Sequence, residues 1–414
     1  MRFCSWIRRA VAPSVLVACI VVWLPAGCSQ GGESGREPLG ESGIAIYGGS
    51  QGNNPETPWK LLALAANGPY GFATRDFVFV DETRTVPATA SYPGAPVRTL
   101  PTRVYYPALP PWLAASPPLE ERVPVAAGGP FPVLAYAHGL TSRGENARFH
   151  AEHLASHGYI VAAPLFPLSR GDAPGGPTLA DAGNQPGDLA FVMNEVAQLG
   201  GEDADLAAAV DTQRRGILGL SLGGLTVILG AYHPMLQIPG IQAAVAHAPV
   251  SCFLGSAVYA RPLPTLILAG TSDELVPPEG PELAFMLAPP PVILAELLGG
   301  VHSGFMNREL PFVRNTDTRE CQALLSTGAT GVGEAELAQD IAEGVGPDAF
   351  AGAACTPLCS QELVQTMGAT RQLQLTRAAT LAHFDAHLRG RATEAQFLTK
   401  YLDRNPDVEV FIKH

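Results

Sequence analysis

The sequence predicts an α/β domain whose central sheet is mostly parallel and covered by helices on both faces. Three observations predict it. Short, almost wholly apolar runs recur after Pro132, stretches of helical character separate them, and 47% hydrophobic content over 414 residues can bury a large core. A strand covered on both faces can carry no polar side, whereas a half-exposed strand alternates. The strand–helix alternation then implies right-handed βαβ units within one domain.

The chain opens with Arg2, Arg8 and Arg9, an apolar stretch from Ala10 to Leu24, and Pro25-Ala26-Gly27-Cys28. Basic residues before a short apolar stretch read as an export signal, and the stretch is short for a membrane span. Small residues before Cys28 resemble the bacterial lipobox, in which the cysteine is lipidated and becomes the mature N-terminus. Pro25 stands where the lipobox usually has Leu, so ordinary signal cleavage and an uncleaved anchor are the alternatives. Residues 1–28 are thus expected to be a signal segment of the lipoprotein type. Residues 29–60, rich in Gly, Ser, Pro, Asn and Glu, form a flexible tether, and 61–414 form the domain. The expected location is the bacterial cell envelope, with membrane contact through an N-terminal lipid anchor. Lys and Arg total 26 against 38 Asp and Glu, a formal charge of -12 with no basic cluster beyond the signal, which argues against a nucleic-acid partner.

Asp76 to Val80 and Arg103 to Tyr106 read as opening antiparallel strands. The apolar runs follow as Val133 to Ala137, Tyr159 to Ala163, Gly216 to Leu220, Ile241 to Ala246, Thr265 to Ala269 and Val292 to Leu297. Between them Asn146 to His157, Asp188 to Gln198, Leu222 to Tyr232 and Pro281 to Met286 read as helices, and Arg371 to Leu388 and Thr393 to Tyr401 close the chain. The segment 307–367 breaks this rhythm. It is rich in Gly and Ala and holds Cys321, Cys355 and Cys359, so it reads as an insertion stapled by disulfides. With Cys252 these make four body cysteines in an oxidising compartment, hence two disulfides with three possible connectivities. A bond from Cys252 to one of the other three would tie the insertion over the neighbouring loops. A metal site is disfavoured, because Cys355-x-x-x-Cys359 has no histidine partner nearby.

The strongest chemical signal is Gly219-Leu220-Ser221-Leu222-Gly223-Gly224, between an apolar strand and a helix. In a chain with 44 Gly the bare pattern is an ordinary turn. The strand–turn–helix context makes Ser221 a candidate nucleophile, because small flanking residues let the backbone pass sharply and present the hydroxyl above the sheet edge. A serine needs a base. Asp273, after the run Thr265 to Ala269, and His302, in Gly299-Gly300-Val301-His302-Ser303-Gly304-Phe305, emerge in order at the same edge. Glu274 is the rival acid. His247 is the rival base but sits one strand too early, and His383 and His387 have metal-ligand spacing without a third ligand. Two backbone N–H groups, of Leu222 at the helix start and of Leu140 after Val133 to Ala137, are expected to form the oxyanion hole, with His138 shaping that turn. Phe166, Leu168, Phe253, Leu254, Phe305 and Met306 are the expected apolar substrate pocket.

The run Phe131 to Pro167, containing Tyr136-Ala137-His138-Gly139-Leu140, resembles bacterial α/β-hydrolases of the platelet-activating-factor acetylhydrolase and dienelactone-hydrolase-like group. So do Gly68-Pro69-Tyr70-Gly71, Tyr92-Pro93-Gly94-Ala95-Pro96, Asn184-Gln185-Pro186-Gly187-Asp188 and Phe384-Asp385-Ala386-His387-Leu388. The resemblance implies an α/β-hydrolase fold and a Ser-Asp-His triad at Ser221, Asp273 and His302, with oxyanion donors at Leu140 and Leu222; the insertion 307–367, which follows the histidine loop, has no counterpart in it. It further implies hydrolysis of carboxylic esters, of small-molecule, lipid or polyester type, without metal or other cofactor. True dienelactone hydrolases use a cysteine where this chain has Ser221, so lactone chemistry is not implied. A serine peptidase or amidase, and a surface lipoprotein that binds without turnover, are the alternatives.

Overall fold

The computed structural model describes residues 56–109, 123–142, 147–201, 203–306, 316–327, 333–350 and 356–414. The signal segment with Cys28, the tether as far as residue 55, and Cys355 lie outside the described residues. The apolar runs pair into one sheet. Its strands are β1 (Gly71–Asp81), β2 (Arg98–Ala108), β3 (Phe131–Ala137), β4 (Ile160–Pro164), β5 (Val210–Leu220), β6 (Ile241–His247), β7 (Thr265–Gly270), β8 (Val292–Leu297) and β9 (Val408–Lys413). They lie in the order β1-β2-β4-β3-β5-β6-β7-β8-β9. Neighbours from β4 to β8 are parallel, and the β1/β2, β2/β4 and β8/β9 pairs are antiparallel.

Successive side chains of a strand point to opposite faces, so each apolar run feeds two cores. In β3, Val133, Ala135 and Ala137 enter one core while Leu134 and Tyr136 enter the other. β7 does the same with Ile267 and Ala269 against Leu266 and Leu268. The helices, in chain order, are α1 (Glu56–Ala65), α2 (Arg148–Ser156), α3 (Gln185–Ala197), α4 (Ala204–Ala208), α5 (Leu222–Tyr232), α6 (Glu279–Leu287), α7 (Thr316–Thr327), α8 (Glu334–Ala342), α9 (Ala369–Leu388) and α10 (Ala392–Gln396). Helices α3, α5, α6 and α8 cover the first face, and α1, α2 and α9 cover the second.

The expected domain boundary at residue 61 falls inside α1, which starts at Glu56 and packs Leu61 and Leu64 into the second core. Strand β9 was not anticipated from the sequence. The expected last helix, Thr393 to Tyr401, is α10 followed by a π-helical turn at Phe397–Tyr401.

Two of the motifs on which the resemblance rests hold the fold. Asp188 and Asp181 clasp the fully buried Arg98 guanidinium, with Arg98 Nε 2.8 Å from Asp188 Oδ1 and Nη1 2.8 Å from Asp181 Oδ1. Asp385 accepts from the Tyr159 hydroxyl at 2.7 Å, from Arg389 at 2.9 Å and from Arg391 at 2.8 Å. Buried carboxylates survive only with such partners.

The insertion rims the carboxyl edge of the sheet. Its helix α7 is bonded by Cys321–Cys359 to a turn in the segment that leads toward α9. Cys252 is also disulfide-bonded. Since Cys321 and Cys359 are joined to each other, they are excluded as its partners, and the partner lies outside the described residues. At the other end of the insertion Gly255 donates to the Ala349 carbonyl at 2.7 Å, and Phe350 stacks on Phe253 with ring centroids 6.1 Å apart.

Candidate functional site

Strand β5 ends at Leu220 and α5 starts at Leu222, so a single residue must reverse the chain. Ser221 does so at φ 61° and ψ -120°, a conformation that costs a residue with a side chain about 1–3 kcal/mol. Thr141 after β3 and Ala248 after β6 also have positive φ, at 64° and 40°. Three strained non-glycine residues thus cluster at one sheet edge, the pattern of a site rather than of a connection.

The strained turn is held on both sides. The Ser221 N–H donates to the His247 carbonyl at 2.9 Å, and the Ser221 carbonyl accepts from Leu225 at 3.0 Å and Val250 at 3.3 Å. A Cβ on Gly219 or Gly223 would run into backbone, of Gly223 and Ala137 respectively, so only glycine lets β5, α5 and β3 meet here. The turn after β3 comes equally close, since a Cβ on Gly139 would lie 3.3 Å from Ser221 Cβ. That approach carries Leu140 to the serine. Among the described residues, neither the Leu140 nor the Leu222 backbone N–H has a hydrogen-bond acceptor, and Leu222 is in the first turn of α5, where helical donors stay free.

Asp273 and His302 are brought together as their order along the chain predicts. His302 Nδ1 donates to Asp273 Oδ2 at 2.8 Å, and Asp273 Oδ1 accepts from the Val276 N–H at 2.7 Å. Both are buried, at 2% and 0% exposure. Burial disfavours a charged imidazole, yet the facing Asp273 carboxylate outweighs it, with Asp317 and Glu320 adding to it, and raises the His302 pKa to about 9. Burial raises Asp273 to about 6. The rival acid Glu274 is occupied elsewhere: its carboxylate accepts from the Thr318 hydroxyl and from the Leu363 N–H, each at 3.1 Å.

The rival histidine is likewise engaged elsewhere. His247 is fully buried, its Nε2 lies 3.0 Å from the Thr380 hydroxyl, and burial holds its pKa well below the ordinary value. Its contribution is mechanical. The His247 ring stacks on Phe305 with centroids 5.7 Å apart, and Phe305 N–H donates to the His302 carbonyl at 3.1 Å. One residue therefore holds Ser221 through its carbonyl and braces the histidine loop through its ring. His138 shapes its turn as expected: Nε2 accepts from the Phe166 N–H at 3.0 Å while Nδ1 donates to the Gly139 carbonyl at 2.8 Å. His383 Nε2 donates to the Pro264 carbonyl at 3.2 Å, a packing role.

Of the residues expected to line an apolar pocket, Phe166, Leu168, Leu254 and Phe305 have no exposed surface. Phe166 is spent on the His138 ring, at 4.7 Å, and Phe305 on His247. Phe253 and Met306 keep partial exposure.

Two polar side chains that motif reading did not single out act on the histidine loop. Gln372, on α9, is bonded to both sides of Val301: Oε1 accepts from its N–H at 3.0 Å and Nε2 donates to its carbonyl at 2.7 Å. Asp317, in the first turn of α7, accepts from the His302 N–H at 2.7 Å and the Ser303 N–H at 2.8 Å. A polar residue at a helical position carries no sequence mark of such a contact.

The chain matches the family model described as PETase, PET hydrolase-like, over residues 122–286. That span holds Ser221 and Asp273 and stops before His302. Among solved structures it is similar to a ferulic acid esterase from Streptomyces cinnamoneus, at 21% identity and a TM-score of 0.54 over 84% of this chain and 98% of that one. No curated protein matches the chain. The structural match, together with the strand order, shows an α/β-hydrolase fold, and the family-model match supports hydrolysis of carboxylic esters.

Proposed function

We propose that this chain is an exported serine hydrolase of carboxylic esters. The observation that carries the reading is the strained, positive-φ Ser221 at the tip of β5, on the same sheet edge as a buried His302 oriented by Asp273. Ser221 Oγ attacks the ester carbonyl as His302 takes its proton. Asp273 fixes the imidazole with Nδ1 as donor, which leaves Nε2 free to accept, and stabilises the charged ring that forms. The N–H groups of Leu140 and Leu222 receive the negative charge on the carbonyl oxygen. His302 returns its proton to the leaving alcohol, and water releases the acyl group by the same route.

The substrate is an uncharged ester, of a small molecule, a lipid or a polyester. The partly exposed apolar side chains of Phe253 and Met306, in the loops after β6 and β8, support this, as does the resemblance of the motif residues to the platelet-activating-factor acetylhydrolase group. Export and lipidation at Cys28 belong to the same proposal and rest on the sequence from Arg2 to Cys28.

The test is a fluorophosphonate label on wild type and Ser221→Ala, run with p-nitrophenyl esters of rising chain length and with peptide anilides. Ester turnover and labelling should both disappear in Ser221→Ala, with kcat falling by about 10⁴-fold or more. Turnover of anilides alone would replace the ester reading with a peptidase, and absence of label on folded wild type would remove the nucleophile. Metabolic labelling with a radioactive fatty acid, lost in Cys28→Ser, tests the anchor.

A further inference from the structure

We propose that Asp317, supplied by the insertion, is a positioning residue for His302, holding the histidine loop and the acid loop in register through one buried carboxylate. The proposal rests on the triad assigned above. Asp317 has no exposed surface. Its Oδ2 accepts from the His302 N–H at 2.7 Å and from the Glu274 N–H at 3.4 Å, and its Oδ1 accepts from the Ser303 N–H at 2.8 Å. One side chain therefore touches the backbone of the base and of the residue after the acid.

A buried carboxylate is costly unless its charge is answered. Among the described residues no Lys or Arg pairs with Asp317. Its partners are backbone N–H groups of the two loops, and its place in the first turn of α7 favours negative charge there. If Asp317 served the insertion alone, its acceptors would be spent within the insertion. They are spent on the loops of the two proposed triad partners instead.

The rest of the insertion stiffens the same contact. Cys321 lies one turn along α7 from Asp317 and is bonded to Cys359, whose N–H donates to the Glu274 carbonyl at 2.8 Å. Thr318 donates to the Glu274 carboxylate at 3.1 Å, Ser272 donates to the Val364 carbonyl at 3.0 Å, and the Met367 N–H donates to the Gly299 carbonyl at 3.1 Å. The helix bearing Asp317 is thus anchored to both loops it aligns.

The groups facing His302 are Asp273 from the loop after β7, and Asp317 and Glu320 from α7. His247 of β6 and His150 of α2 pack against Phe305, and burial keeps both disposed to be neutral. Gln372 of α9 is uncharged. Removing the Asp317 charge should therefore make the His302 imidazolium easier to deprotonate while loosening its backbone.

Asp317→Asn keeps the shape and one acceptor but removes the charge. The expected result is a fall in kcat of about tenfold or more on a p-nitrophenyl ester with KM within about twofold, and an acid limb of the pH–rate profile shifted to lower pH. The His302 imidazole, followed by NMR, should titrate at lower pH by the same shift. A folded Asp317→Asn with wild-type kcat and an unmoved His302 titration would overturn the proposal, as would a loss confined to KM. In wild type the amide protons of His302 and Ser303 should be strongly protected from solvent exchange, and rapid exchange at both would overturn it without any variant. The NMR titration and exchange need no turnover, so they report on Asp317 even if the ester reading fails.

Discussion

Gly224→Ala tests whether the carbonyl that anchors Ser221 must sit where it does. Gly224 is the third residue of α5, and a Cβ there would lie 2.7 Å from Pro249 Cα and 2.9 Å from the His247 oxygen. Ordinary contact begins at 3.4 Å, so the Pro249 backbone has to retreat by about 0.7 Å and the His247 carbonyl by about 0.5 Å. That carbonyl receives the Ser221 N–H, so the retreat is passed on to Ser221. A misplacement of about 1 Å can cost about 10²-fold in rate, which puts the expected loss in kcat/KM near tenfold. Stability should change little, because overpacking costs about 1–3 kcal/mol while alanine in a helix gains about 1 kcal/mol over glycine. The assay is kcat/KM on p-nitrophenyl butyrate beside a thermal melt. Gly201→Ala, where a Cβ meets nothing within 4 Å, is the neutral control, and Gly223→Ala, whose Cβ would strike the Ala137 backbone, should be the most damaging of the three. Wild-type kcat/KM in a well-folded Gly224→Ala, or a loss no larger than in Gly201→Ala, would refute the reasoning.

In the proposed mechanism His302 must be neutral to act as base, and it is raised to about 9, so kcat/KM should still be climbing with pH well above the ordinary histidine value of 6.5. A plateau reached below pH 6 in a pH–rate series would contradict this. The same shift acts oppositely on the fold: its contribution to stability is complete below about 6.5 and is lost as pH rises through about 9. Urea midpoints should accordingly decline over the range in which activity rises. Replacing Cys321 and Cys359 by Ser opens a loop spanning 38 residues of sequence, a loss of about 4 kcal/mol on loop entropy alone. Activity should be lost at a lower urea concentration than in wild type, and coincident midpoints with and without the bond would count against its bracing role.

The parallel half of the sheet was legible because its runs are apolar on both faces, and β8 falls on the expected Val292 to Leu297. The candidate serine, acid and histidine were legible because each follows such a run. Strand β9 was not, since Val408, Val410 and Ile412 gain their meaning only beside β8, a partner distant along the chain. The full burial of four expected pocket residues was not legible for a related reason. Phe166 and Phe305 are apolar and near the site in sequence, yet facing rings of His138 and His247 absorb them.

The sequence by itself determined the α/β class, the order of the strands that precede the candidate residues, and the turn at Ser221, because these depend on local pattern: apolar periodicity, glycines where side chains cannot fit, and residues next to strand ends. The tertiary structure alone decided that Asp273 rather than Glu274 meets His302, that Cys321 joins Cys359, and that Asp317 and Gln372 grip the histidine loop. Those outcomes depend on which surfaces a fold presses together, and a short polar side chain gives no advance sign of the backbone amide it will meet.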